Sequence, residues 1–202
     1  TGTDLYRGYI QYNNSSDSML FATSAGTKMT IDSSGKVGIG NTIASTFSGN
    51  ANTLVVGSGS GDTGMTIYSG NTSDGAIFFA DSADNNEETR GGLTYDHNTN
   101  KMNLRVNDAN RLTIDNAGNV GIGEASPDNL LHITSATSDA TLIKLENTNA
   151  DSYASRMTFV RTSASPAADD DIGKLDFFAN DNAGNSDRYA LMRAQIVDTT
   201  NG

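Results

Sequence analysis

A stretch of 34 residues occurs twice in this chain, and that duplication limits the fold more than any single residue does. Residues 7–40 align with residues 90–123 at a constant offset of 83, without a gap. Twelve positions are identical: Arg7/Arg90, Gly8/Gly91, Tyr12/Tyr95, Met19/Met102, Thr30/Thr113, Ile31/Ile114, Asp32/Asp115, Gly35/Gly118, Val37/Val120, Gly38/Gly121, Ile39/Ile122 and Gly40/Gly123. Each copy closes on one phrase, MTIDSSGKVGIG and then LTIDNAGNVGIG. A fixed period means one supersecondary unit strung along the chain, an arrangement that builds length or surface rather than a single catalytic centre.

Within each copy the hydrophobic period is two. Met102, Leu104 and Val106 alternate with Lys101, Asn103 and Arg105; Leu112 and Ile114 alternate with Arg111, Thr113 and Asp115. The same pattern marks Ile10/Tyr12, Met29/Ile31, Val37/Ile39, Met65/Ile67, Leu93/Tyr95, Val120/Ile122, Leu131/Ile133, Met157/Phe159 and Leu175/Phe177, and it predicts short strands. No segment keeps a 3.6-residue period over three turns, and residues 44–47 have room for one helical turn at most. The chain is rich in turn formers, with 22 Asn, 20 Asp and 21 Gly. Asp32-Ser33-Ser34-Gly35 and Asp115-Asn116-Ala117-Gly118 read as tight hairpins, with Asp opening the turn and Gly accepting a positive φ. Residues 13–17 and 96–100 read as matched longer hairpin loops. After each VGIG come a linker (41–52, 124–129), a short apolar strand (54–56, 130–133), further strands (65–68 and 76–80; 142–145 and 157–160), a loop (81–89, 163–171) and a last strand (91–95, 173–178). The expected organisation is therefore the end of one unit at 1–40, a complete unit at 41–123, and an incomplete further unit at 124–202, in a fragment of a longer protein.

Only 36 % of the 202 residues are hydrophobic, thin for a compact monomer, which suits strands that share a core with partner subunits. The net charge of −11, with no Lys/Arg cluster, argues against a nucleic-acid partner and against anionic membrane surfaces. Without cysteine there is neither a disulfide framework nor a Cys metal site, and no apolar run reaches membrane-spanning length.

The phrase LTIDNAGNVGIGEASP (residues 112–127), followed by NLLHIT (129–134), resembles the repeats of bacteriophage tail-fibre and related receptor-binding structural proteins, and the likeness of order covers nearly the whole chain. The resemblance implies an all-β fold: short antiparallel strands and hairpins in tandem repeats, wound into an intertwined homotrimeric β-prism or β-sandwich fibre. It carries over no catalytic residue, no cofactor and no metal ligand. It implies a virion location on the extracellular surface, as the structural segment of a tail fibre that supports host-receptor attachment. The implied partners are two further copies of the chain, other tail or baseplate proteins, and a host surface glycan met by a distal tip; nucleic acid and membrane insertion are not among them. A glycan-depolymerising tailspike, a head fibre or capsid decoration, and a bacterial surface adhesin repeat remain as alternatives. On the trimer reading, Gly38, Gly40, Gly121 and Gly123 let three backbones approach closely, with Ile39 or Ile122 filling the centre.

Few residues compete for another role. A glycan hydrolase needs two carboxylates across a groove, and the acidic loops Asp81/Asp84/Glu87/Glu88 and Asp169/Asp170/Asp171 are the places to look, although a solvated loop is the plainer reading. His97 falls in a hairpin loop. His132 lies between Leu131 and Ile133 on the opposite strand face, where three copies meeting on an axis could hold a cation. Residues 180–187 (NDNAGNSD) superficially suggest a calcium loop but lack the distal bidentate Glu, so a hairpin is expected. Tyr6, Tyr9, Tyr12, Tyr68, Tyr95, Tyr153 and Tyr189 are the aromatics open to sugar stacking, yet Tyr12 and Tyr95 hold matched repeat positions, which points to structure.

Overall fold

The computed structural model describes residues 7–24, 26–83, 87–140, 142–149, 155–165 and 167–197. The fold is all-β, built from antiparallel hairpins, with no α-helix among the described residues. Two compact units form, Thr1–Ala136 and Thr137–Gly202. The first holds two sheets. One runs in order β1 (Gly8–Asn13), β2 (Ser18–Thr23), β3 (Gly26–Ile31), β4 (Val37–Ile39) and β5 (Leu54–Val56). The other runs in order β11 (Leu131–Ile133), β10 (Val120–Ile122), β9 (Ala109–Ile114), β8 (Lys101–Val106), β7 (Gly91–Asp96) and β6 (Asp74–Phe79). The second unit contributes a long hairpin, β12 (Asp171–Asn180) with β13 (Ser186–Gln195).

The duplicated sequence becomes a duplicated sheet. β1–β4 and β7–β10 are equivalent antiparallel meanders, and each takes a three-residue strand in parallel at its end, β5 beside β4 and β11 beside β10. Sheets and sequence units are therefore out of phase, since β5 follows residue 41 yet completes the first sheet, and β11 follows residue 124 yet completes the second. Three expected strands do not form: residues 65–68, 142–145 and 157–160 pair with nothing. The one helical turn expected at 44–47 appears as a 3-10 turn at Ala44–Thr46.

The hairpins follow from local chemistry. At β3–β4 the Gly35 amide donates to the Asp32 carbonyl (2.9 Å), while Asp32 Oδ1 accepts from the Ser34 and Lys36 amides (2.9 Å each). At β9–β10 Asp115 Oδ1 accepts from the Ala117 (2.8 Å) and Asn119 (2.9 Å) amides. The β12–β13 turn spells the same pentapeptide, DNAGN at 181–185, and Asp181 Oδ1 accepts from Ala183 and Asn185 at 2.8 Å each. The hairpin expected at 180–187 is thus the third use of one turn. Gly118 and Gly184 both sit at φ +85°, left-handed backbone that Gly adopts without strain.

These turns respond to acid. The Asp181 carboxyl is held below the ordinary 3.8 by the Asn185 side-chain amide, then by the Asn185 backbone amide, against some desolvation. At Asp115 desolvation pushes upward, and the amides of Asn119 and Ala117, the Asn119 side chain and the Gly118 amide outweigh it, so the net shift is also downward. A carboxyl with a depressed folded pKa stabilises the fold above its unfolded value and loses that contribution as pH falls through the folded one. Melting temperature is therefore expected to drop on acidification below about pH 4. The Asp115→Asn, Asp181→Asn double variant, which has no carboxyl opening either DNAGN turn, is expected to lose less over the same range in a pH series of thermal melts.

The matched tyrosines serve the longer hairpins. The Tyr12 hydroxyl donates to Asp17 Oδ1, and the Tyr95 hydroxyl donates to Asn100 Oδ1 (3.1 Å for the latter). Asp17 (φ +49°) and Asn100 (φ +53°) occupy equivalent left-handed positions, so each Tyr pins the residue that turns its loop. The duplication thus has a structural cause, as the sequence suggested.

A matched pair with unlike surroundings gives a sharper test. Thr113 is 1 % exposed, and its hydroxyl donates to Asn103 Oδ1 (3.1 Å) on the neighbouring strand. Thr30 is buried at the equivalent place, but the residue across from it is Leu20, and its hydroxyl has no partner. Removing an unpaired buried hydroxyl relieves a desolvation cost, whereas removing a paired one strands its acceptor. Thr30→Val is expected to raise stability by about 1 kcal/mol and Thr113→Val to lower it by about 1–2 kcal/mol, read by chemical denaturation.

Candidate functional site

Strand register sorts every side chain of the larger sheet onto one of two faces. One face carries the row Ala76, Thr94, Asn103, Thr113, Gly121 and His132. The other carries Ile77, Leu93, Leu104, Leu112, Ile122 and Ile133 in one row, with Tyr95, Met102, Ile114, Val120 and Leu131 in the next. The usual expectation is that the apolar face is covered. Here the polar face is the covered one: Thr94, Asn103 and Thr113 are buried. Ile77, Leu93, Leu104 and Ile122 stay between 41 and 44 % exposed, and Leu131 reaches 55 %.

The smaller sheet repeats this in part, since Leu20 and Val55 share the covered face with Thr30 and Gly38. Thr30 and Gly38 are buried on one face, while Ile10, Tyr12, Ile39, Leu54 and Val56 are exposed on the other. Among the described residues the only buried hydrophobic side chains are Ala22 and Ala44. Large aliphatic residues in ordered strands, without a core of their own, form an apolar surface far above the scattered single exposures of an ordinary monomer.

The polar face is covered by the chain itself. After β10 the backbone turns back so tightly that a Cβ on Gly121 would lie 2.1 Å from the Glu124 carbonyl oxygen. Lys101 Nζ then donates to the Ala125 carbonyl (2.7 Å), and Asn119 Nδ2 donates to the Pro127 carbonyl (3.4 Å). In the first sheet a Cβ on Gly38 would lie 2.6 Å from the Asn41 carbonyl oxygen, and Asn41 Nδ2 donates to the Val55 (3.1 Å) and Gly57 (3.0 Å) carbonyls. Gly40 (φ +80°) and Gly123 (φ +74°) complete the reversal with left-handed backbone. The VGIG glycines therefore answer a demand made within one chain, a strap folded over the polar face. This demand exists before any backbones meet at an axis. Ile39 and Ile122 point the other way, onto the bare apolar face.

Aromatic side chains cover two further glycines, a pairing that the repeat alignment does not reveal. Phe78 lies directly across from Gly92, where a Cβ would come within 2.6 Å of its ring. Phe159 lies over Gly173, where a Cβ would come within 2.7 Å of Phe159 Cβ. The sequence separation within the two pairs is the same, so the third unit reuses the device, with the aromatic ring filling the space left by a strand glycine.

The residues considered for chemistry are occupied or dispersed. In the second acidic loop Asp170 pairs with Arg161 (3.2 Å), and Asp171 pairs with Lys174 (2.5 Å) and Arg193 (3.7 Å). The Lys174 hydrogen bond is the main cause that holds the Asp171 carboxyl below its ordinary range. In the first loop Glu87 pairs with Arg90 (2.8 Å), and Asp84 lies outside the described residues, as do Tyr6 and Tyr153. His97 stands edge-on to Tyr95, with ring centroids 4.9 Å apart. His132 Nδ1 is 3.1 Å from Asp128 Oδ1, an ion-pair distance without hydrogen-bond alignment, and it lies on the covered face beside Gly121. Among the described residues no three His, Asp or Glu side chains gather as a metal site, and no helix is long and apolar enough to cross a membrane. No protein-family model and no curated protein sequence matches the chain.

Proposed function

We propose that this chain is a structural segment of a homotrimeric bacteriophage tail fibre, displayed on the virion surface and supporting host-receptor attachment. The observation that carries the reading is the burial pattern of both sheets: one face strapped shut by the chain's own turns, with a polar central row in the larger sheet, and an aliphatic face left bare in each. Apolar area removed from water contributes roughly 25 cal/mol per Å2, so two ordered aliphatic faces in one chain favour burial against further copies of the same chain. The internal repeat supports a fibre rather than a closed cluster, because it offers the same face again along the polypeptide. No catalytic group is assigned. The role is mechanical, holding a distal receptor-binding tip away from the particle so that several weak contacts act together. Other tail or baseplate proteins are the proposed neighbours, and a host surface glycan is the proposed target of the tip.

Native mass by light scattering tests the assembly. Three chain masses, persisting through brief heating, are the expected result. A stable single chain would sink the fibre reading and leave a free-standing binding module as the better account.

A further inference from the structure

Three short apolar segments, 65–68, 142–145 and 157–160, are left over by the sheets, and the first two are equivalent. Met65 follows Leu54 by the same interval that separates Leu142 from Leu131, so residues 65–68 and 142–145 occupy one position of the repeat, just after β5 and β11. Neither segment joins a sheet, and their backbone groups make no hydrogen bond among the described residues. Their side chains are bare: Met65, Ile67, Tyr68, Leu142, Ile143 and Leu145 are all exposed.

The sheets carry open edges that recur in step with these segments. β5 and β11 each end a sheet and are held on one side only. The Val37 amide donates to Thr53 (2.8 Å) and the Gly57 amide to Ile39 (2.8 Å), so Thr53 and Gly57 face β4. By alternation the backbone of Leu54 and Val56 faces outward. In the second sheet the Val120 amide donates to Leu130 and the Thr134 amide to Ile122 (3.0 Å each), which leaves Leu131 and Ile133 facing outward. The edges of β1 and β6 do not recur in this way, because β1 corresponds to the interior strand β7.

We propose that residues 65–68 and 142–145 add as strands to the open outer edges of β5 and β11 in a second copy of the chain. This rests on the fibre reading and deepens it. Leu54, Val56 and Leu131 lie at the rim of the bare apolar face, so an added strand extends the same interface and covers an edge that would otherwise invite unregulated pairing. The two equivalent segments are matched one to one with the two equivalent edges, and no segment already paired has to be released.

Proline scanning with amide exchange tests it on the assembled protein. Successive backbone amides point to opposite sides of a strand, so one of Thr66→Pro and Ile67→Pro must remove an inter-strand donor if the segment is paired. The expected result is that at least one variant falls to a single chain mass with its β-sheet circular dichroism retained. In the wild-type assembly, amides within 65–68 and those of Leu54, Val56, Leu131 and Ile133 are expected to exchange at least about 100-fold more slowly than in an unpaired chain. Unchanged mass in both variants, or free-chain exchange at these amides in an assembled wild type, would overturn this pairing while leaving the fibre reading intact. A wild type that is itself a single chain would overturn both.

Discussion

Ile122→Asp is expected to abolish self-association, weakening it by at least about 100-fold, while leaving the fold of the single chain in place. Ile122 stands between Leu112 and Ile133 in the row Ile77, Leu93, Leu104, Leu112, Ile122 and Ile133, and it is 43 % exposed in one chain. A carboxylate there meets water as long as the chain is alone, so the direct cost to the monomer is small. Once the face is buried against another copy, the same carboxylate is desolvated without a partner, at a cost of several kcal/mol per interface. Symmetry multiplies this, since every copy brings the substitution to the shared surface. Sedimentation or light scattering reads the loss, and circular dichroism reads the retained sheet. Asn182→Asp, in the exposed β12–β13 turn, adds the same charge outside this sheet and is expected to assemble normally. If Ile122→Asp assembles like the wild type, the bare face is not the subunit contact.

The turns and the repeat could be read directly from the residues because their causes are local. An Asp that accepts two amides and a Gly at positive φ specify a hairpin within five residues, wherever the pentapeptide falls. Strand existence was similarly readable from the period-two pattern at Leu93/Tyr95, Met102/Leu104 and Leu112/Ile114. The failures came where the outcome depends on partners distant in sequence or absent from the chain. Residues 65–68 show the same alternation as Leu112/Ile114 but stay unpaired, because alternation describes a strand without supplying an edge for it. Which face is covered was not readable either. Threonine, asparagine and glycine alternating with isoleucine and leucine suggest that the aliphatic side goes inward, and only the backbone reversal after Gly121 shows that the strap closes over the polar side instead. The repeat order sets 76–80 beside 157–160 and 91–95 beside 173–178, but the cover of Phe78 on Gly92 and Phe159 on Gly173 is a contact across 14 residues that only the folded backbone shows. The duplicated Tyr12 and Tyr95 are engaged with their own loops and so do not mark a receptor site.

Gly121→Ala is expected to be among the most damaging single-methyl changes at the described glycines, costing about 3 kcal/mol or more. The reason is spatial, since the added Cβ would stand 2.1 Å from the Glu124 carbonyl oxygen and 3.0 Å from its carbon, so backbone rather than a flexible side-chain tip must move. Moving it lifts the strap that holds the Lys101 to Ala125 and Asn119 to Pro127 hydrogen bonds, and it opens the face where Thr94, Asn103 and Thr113 are buried. Gly118→Ala provides the contrast. No atom lies within 4 Å of its added Cβ, and the cost is the left-handed backbone alone at φ +85°, about 1–2 kcal/mol. Gly38→Ala, with its Cβ 2.6 Å from the Asn41 carbonyl oxygen, is expected to rank with Gly121→Ala rather than with Gly118→Ala. The ranking distinguishes two explanations of the VGIG phrase by measurement on dissociated chains. If these glycines are needed only where separate backbones meet, Gly121→Ala leaves the stability of a single chain untouched and weakens assembly alone. If they are needed for the strap, denaturation of the single chain already shows the full loss.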